Sequence, residues 1–169
     1  MINNIDIVFL GDSLLARGAW DKLFPTKKVL NLGVDGSTTQ DVIARMDKVI
    51  ELKPKNVVLL VGINDVNLYT PQEKVYENYK AILEKLSNHG IKVIIIPLLY
   101  TQMNTLNTKV TIFNQFIYEY VDQTHEFTLL ELNDILSEFR TLKECFTTDG
   151  LHLNTPAYEI IAKKLALYV

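Results

Sequence analysis

A repeated alternation most constrains this chain. Short, continuous runs rich in Val, Ile and Leu recur at residues 5–10, 28–32, 56–61, 91–97 and 127–130, each bounded by Gly, Pro, Asn or charge. Runs without polar alternation read as strands buried on both faces, as in a parallel sheet covered by helices. The stretches between them are helical in pattern. "STTQDVIARMDKVIEL" puts Val42, Ile43, Met46, Val49 and Ile50 on one face, with Ser37 or Thr38 as cap. "PQEKVYENYKAILEKLSNHG" aligns Val75, Tyr79, Ile82 and Leu86, and Gly90 ends it. Residues 106–124 predict another helix with Ile112, Phe116 and Tyr120 inside, and the last helix starts with Thr155 as cap and Pro156 at its first position. Strand–helix units with short links predict an α/β fold of three layers around a mainly parallel, five-stranded sheet. Residues 133–154 read as loop around a short helix in "DILSEF".

The 169 residues suit one domain spanning 1–169, and a composition 48% hydrophobic and 22% charged is that of a globular chain. The net charge of -3, with scattered Lys and Arg, argues against a nucleic-acid partner. No apolar run approaches the roughly 20 residues that span a bilayer, so no stable membrane anchor is expected. "MINNIDIVFLGDS" carries no export leader, which points to the cytoplasm. Cys145 is the one cysteine and reads as a semi-buried structural thiol. A homo-oligomer through the Trp20 region or the last helix stays open.

In such folds ligands bind at the carboxyl ends of the strands. Those ends carry no dinucleotide or P-loop motif and no G-x-S-x-G elbow, and His89, His125 and His152 lack metal-ligand spacing. What they do carry is "GDS" (11–13), "NLGVDGS" (31–37), "VGIND" (61–65) and, near the end, "TDGLHLN" (148–154). Taken singly, these read as a helix cap and turns. Together they supply what acyl transfer from an ester needs: a hydroxyl nucleophile (Ser13), a base (His152) and a carboxylate to orient it (Asp149). The backbone N–H groups of Ser13 and Gly33 and the Asn64 amide would face the oxyanion. Asp12 and Asp65 read as loop braces.

These blocks resemble the SGNH hydrolases, the GDSL-type esterases and lipases, over essentially the full length. The string Gly11-Asp12-Ser13-Leu14, Gly33 in "NLGVDG", Asn64 in "VGIND" and His152 in "DGLHLN" match the four family positions. The resemblance implies a flavodoxin-like sandwich and a serine esterase that needs neither metal nor organic cofactor. Its partner would be a small-molecule ester, with an O-acetylated carbohydrate favoured over longer acyl groups. Tyr100, Met103 and Leu151 are expected on the rim of the cleft. A lysophospholipase or thioesterase, an acyltransferase sharing the acyl-enzyme, and a non-catalytic carbohydrate-binding module remain as alternatives.

Overall fold

The computed structural model describes residues 5–169, so residues 1–4 of the leader reading lie outside it. Strand β1 (Ile7–Gly11) is buried throughout, with no exposure at Ile7, Val8, Phe9 or Leu10. It lies between β2 (Val29–Gly33) and β3 (Asn56–Leu60), and β4 (Lys92–Ile95) and the two-residue β5 (Thr128–Leu129) continue the sheet. The order β2-β1-β3-β4-β5 is parallel throughout, the flavodoxin-like arrangement. Strand β2 is an edge strand and only half-buried, unlike the doubly buried strand expected from its sequence.

The order reverses between β1 and β3, which leaves a crevice at their carboxyl ends. Two short helices follow β1: α1 (Ser13–Ala16) and α2 (Trp20–Leu23). Trp20 is 1% exposed and stacks on Phe9 at 4.1 Å. Its indole N–H donates to the Leu15 carbonyl at 2.7 Å, and the Tyr158 hydroxyl donates to the Leu14 carbonyl at 2.8 Å. The Asn31 amide reaches the carbonyls of Leu15 and Ala16, both at 3.0 Å. Side chains thus satisfy the carbonyl end of a helix too short to be stable alone.

The helix expected over 37–52 is two, α3 (Thr39–Ala44) and α4 (Met46–Leu52). They part at Arg45, whose guanidinium donates to the Gly11 carbonyl at 2.7 Å. Of the two expected caps Thr38 is the one used, in a capping box with Asp41. Helix α5 (Ile63–Asn67) follows β3, and α6 (Gln72–Asn88) precedes β4.

Helix α7 (Asn104–Thr124) is rotated from the expected face: Leu106, Val110, Phe113, Ile117 and Val121 are buried, and Ile112 is half exposed. Phe116 instead stacks on Tyr76 of α6 at 3.8 Å, so the helix has two apolar sides. Between β5 and the last helix lie α8 (Asn133–Leu136), a hairpin of β6 (Ser137–Glu138) and β7 (Thr141–Leu142), and a 3-10 turn at Glu144–Phe146. Helix α9 (Thr155–Leu165) is capped by Asn154, so Thr155 is its first residue and Pro156 its second. Cys145 is exposed, contrary to the expected semi-buried thiol. No described helix is long and apolar enough to cross a membrane.

Candidate active site

The chain leaves β1 through Asp12, which is fully buried and whose Oδ1 accepts the Leu14 N–H at 2.9 Å. Asp12, not Ser13, is therefore the cap of α1. Ser13 is left free at the first helical position, where its N–H has no intrahelical acceptor. Desolvation pushes the Asp12 carboxyl up to about 7, against the hydrogen bond from Leu14, and its Oδ2 has no partner among the described residues.

From the other side comes the loop before α9. Asp149 Oδ1 accepts the N–H groups of Leu151 (3.0 Å) and His152 (2.7 Å), and Oδ2 lies 2.6 Å from His152 Nδ1. The imidazole hydrogen bond, then the two backbone ones, hold this carboxyl well below its usual range. An ionised carboxylate accepts from Nδ1–H, which leaves Nε2 as the acceptor, 3.2 Å from Ser13 Oγ. Thr147 ties the loop down: its Oγ1 donates to the His152 carbonyl at 2.7 Å and accepts the Gly150 N–H at 2.9 Å. Sequence reading missed Thr147, since a loop threonine carries no signal of such a role.

The third part is the segment between β2 and α3. Gly33, the expected oxyanion donor, does not have a free N–H: it donates to Asn31 Oδ1 at 3.0 Å. Its lack of a side chain serves packing, because a Cβ there would lie 2.4 Å from the Ala16 nitrogen. Gly36 is the better placed donor. It occupies the third position of a turn closed by Ser37 N–H to the Val34 carbonyl, at φ +77°, a conformation that favours glycine. Its N–H has no acceptor among the described residues. Both neighbours are anchored: Asp35 pairs with Arg17 at 2.7 Å, and the Ser37 carbonyl accepts from Asn64 Nδ2 at 2.9 Å. Asn64 thereby spends one amide hydrogen on the loop and keeps the other. The Asp-Gly pair in "VDGS" was the sequence signal for this turn.

Asp65 braces the same region, accepting from the Thr39 N–H (2.9 Å) and Oγ1 (2.7 Å). Of the expected rim residues, Met103 is partly exposed, and the Gln102 N–H donates to the Gly150 carbonyl at 2.7 Å, which brings this loop against the histidine loop. Leu151 is partly buried beside Asp149. Tyr100 is half-buried with its hydroxyl 3.3 Å from Thr111 Oγ1 on α7, a packing contact. Among the described residues no group of three or more His, Cys, Asp or Glu is placed to hold a metal.

A hydroxyl, an imidazole and a carboxylate in line, at the switch point of a parallel sheet and beside amide donors, are the parts of an acyl-transfer hydrolase. The model of the GDSL-like Lipase/Acylhydrolase family matches residues 9–160, and the chain belongs to this family. It is 23% identical over 141 residues to N-acylneuraminate cytidylyltransferase of Streptococcus agalactiae, covering 82% of this chain. The chain spans only about a third (34%) of that relative's length. It is 28% identical to platelet-activating factor acetylhydrolase IB subunit alpha2 of Rattus norvegicus, over 95% of this chain and 74% of the other. An acetyl xylan esterase structure superposes with a TM-score of 0.83 at 22% identity, covering 98% of this chain and 100% of that one.

Proposed function

We propose that the protein is a serine esterase for short, acetyl-type carboxylic esters, with an O-acetylated carbohydrate as its natural substrate. The observation that carries the reading is the continuous line from Ser13 Oγ to His152 Nε2 (3.2 Å) and from His152 Nδ1 to Asp149 (2.6 Å).

Ser13 Oγ attacks the carbonyl carbon and its proton passes to His152 Nε2. The carbonyl oxygen takes the charge and is met by the N–H groups of Ser13 and Gly36 and the free amide hydrogen of Asn64. The bond to the alcohol oxygen then breaks as Nε2–H protonates it, leaving an acyl-Ser13. Water attacks that acyl group, gives its proton to Nε2, and the acid departs as Ser13 regains its hydrogen. Asp149 fixes the imidazole tautomer and steadies the imidazolium throughout. Gly36 replaces Gly33 in this scheme because only Gly36 has an N–H to give. The names of two similar proteins, an acetylhydrolase and an acetyl xylan esterase, support the acetyl preference.

Hydrolysis of p-nitrophenyl esters of increasing acyl length, with wild type beside Ser13→Ala, tests the reading. Acetate is expected to turn over fastest, and Ser13→Ala to lose at least about 10⁴ in kcat. A Ser13→Ala enzyme as active as wild type would refute it.

A further inference from the structure

We propose that Arg45 is a positioning residue for the oxyanion donors. Through the Gly11 carbonyl it locks the end of β1 to the β2–α3 turn, and so sets the gap between the N–H groups of Ser13 and Gly36. The proposal rests on the esterase reading of Ser13 and adds a residue that acts only through others. Three segments meet at the Gly11 carbonyl, which accepts the Val34 N–H at 3.0 Å and Arg45 Nη2 at 2.7 Å. Gly11 stands two residues before Ser13, and Val34 two residues before Gly36. Arg45 reaches in from the junction of α3 and α4. The stretch from Val34 through Gly36 and α3 to Arg45 is thus closed on one oxygen atom.

Stability alone does not account for this bond. The Gly11 carbonyl is already satisfied by the Val34 N–H, so it needs no second donor. A guanidinium is a costly choice there. Arg45 is half-buried, its occluded Nε has no partner, and it forms no ion pair among the described residues. Burial lowers its pKa, and the charges of Asp41 and Asp12 offset this only in part. The helix also breaks at Arg45, although the apolar spacing of Val42, Met46 and Val49 runs on across it. What the guanidinium supplies is precision, because a charged donor holds a carbonyl closer and more firmly than a neutral one. Departures from local rules of this kind are expected beside functional sites.

The turn that carries Gly36 is anchored at both ends. Val34 is held on the Gly11 carbonyl, and the Ser37 carbonyl is held by Asn64 Nδ2 at 2.9 Å. The Arg17–Asp35 pair between them is largely exposed, and such pairs hold little. Loosening the Gly11 end lets Gly36 drift from Ser13, while the bonds from Ser13 to His152 and from His152 to Asp149 stay as they are. An oxyanion donor acts where charge develops in the transition state. Its displacement therefore lowers kcat and leaves KM nearly unchanged.

The experiment compares wild type, Arg45→Met and Arg45→Lys on p-nitrophenyl acetate, with urea midpoints measured beside the kinetics. Methionine keeps an unbranched apolar stem and has no donor. Removing an oxyanion donor costs about 10²–10³ in kcat and displacing one costs less, so Arg45→Met is expected to lose about tenfold. Its KM is expected to stay within about threefold, and its urea midpoint to be no lower than that of wild type. Arg45→Lys restores a charged donor and is expected to recover most of the lost kcat. A kcat for Arg45→Met within about twofold of wild type overturns the proposal. So does a fall in kcat that comes with a lower urea midpoint and is not repaired in Arg45→Lys. Amide NMR reads the same link without substrate: Arg45→Met is expected to move the Ser13, Val34 and Gly36 signals and leave those of Leu151 and His152 in place. Ser13 and Gly36 signals that do not move overturn it. If wild type cleaves no ester while these amides still move, the esterase reading falls and the link from Arg45 to the turn stands.

Discussion

Ser13 leaves the middle of a buried sheet, whereas His152 leaves a loop whose only ladder contact is an isolated bridge between Thr147 and Leu153. On the serine side, β1 has neighbours on both edges and α1 is pinned by Trp20, Tyr158 and Asn31. On the histidine side, position depends on short-range polar bonds: Asp149 to two N–H groups, Thr147 to the His152 carbonyl, and Asn154 to the Cys145 carbonyl. Apolar burial fixes the proposed nucleophile, and hydrogen bonds worth about 1 kcal/mol each fix the proposed base. Core damage should therefore cost stability, and loop damage should cost turnover.

The largest effect expected is on the loop side. Asp149→Asn removes the carboxylate that sets the imidazole tautomer and should lower kcat by up to about 10⁴ with little change in urea midpoint. Phe9→Ala should show the opposite pattern, losing about 3–5 kcal/mol in chemical denaturation while the folded fraction keeps near-normal kcat. Asp12→Asn probes the boundary between the two. The folded state holds the Asp12 proton more tightly than the unfolded chain, whose aspartates titrate near about 4. This contribution to stability is full below that value and is lost as pH rises through about 7. Asparagine keeps the cap acceptor, so the variant should lose less stability than wild type between pH 5 and 8, by a few kcal/mol at most. The smallest effect is expected from Thr147→Val, which frees the His152 carbonyl and the Gly150 N–H. About a tenfold fall in kcat with an unchanged melting temperature would keep the division sharp, and a loss of folding would blur it.

The same division governs what the sequence could reveal. Strands β1, β3 and β4 were legible because a doubly buried strand leaves an unbroken apolar run. The break at Arg45 was not, since the apolar spacing of Val42, Met46 and Val49 continues across it. What ends α3 there lies far along the chain, in the reach of Arg45 to Gly11. In α7 two apolar stripes compete, and only the neighbouring aromatics of α6 decide which faces the sheet. Ser13, Asn64, Asp149 and His152 were all readable as residue types at strand ends and in the last loop. The choice of Gly36 over Gly33 was not, because it depends on the Asn31 side chain taking one of two nearby amides.

The most direct test is a stoichiometric one. The protein is treated with a p-nitrophenyl alkylphosphonate, nitrophenolate release is measured, and the adduct is located by peptide mass. One nitrophenolate per chain, the phosphonyl group on Ser13, and no release from Ser13→Ala are the expected results. No release from wild type, or an adduct on any residue other than Ser13, would contradict it.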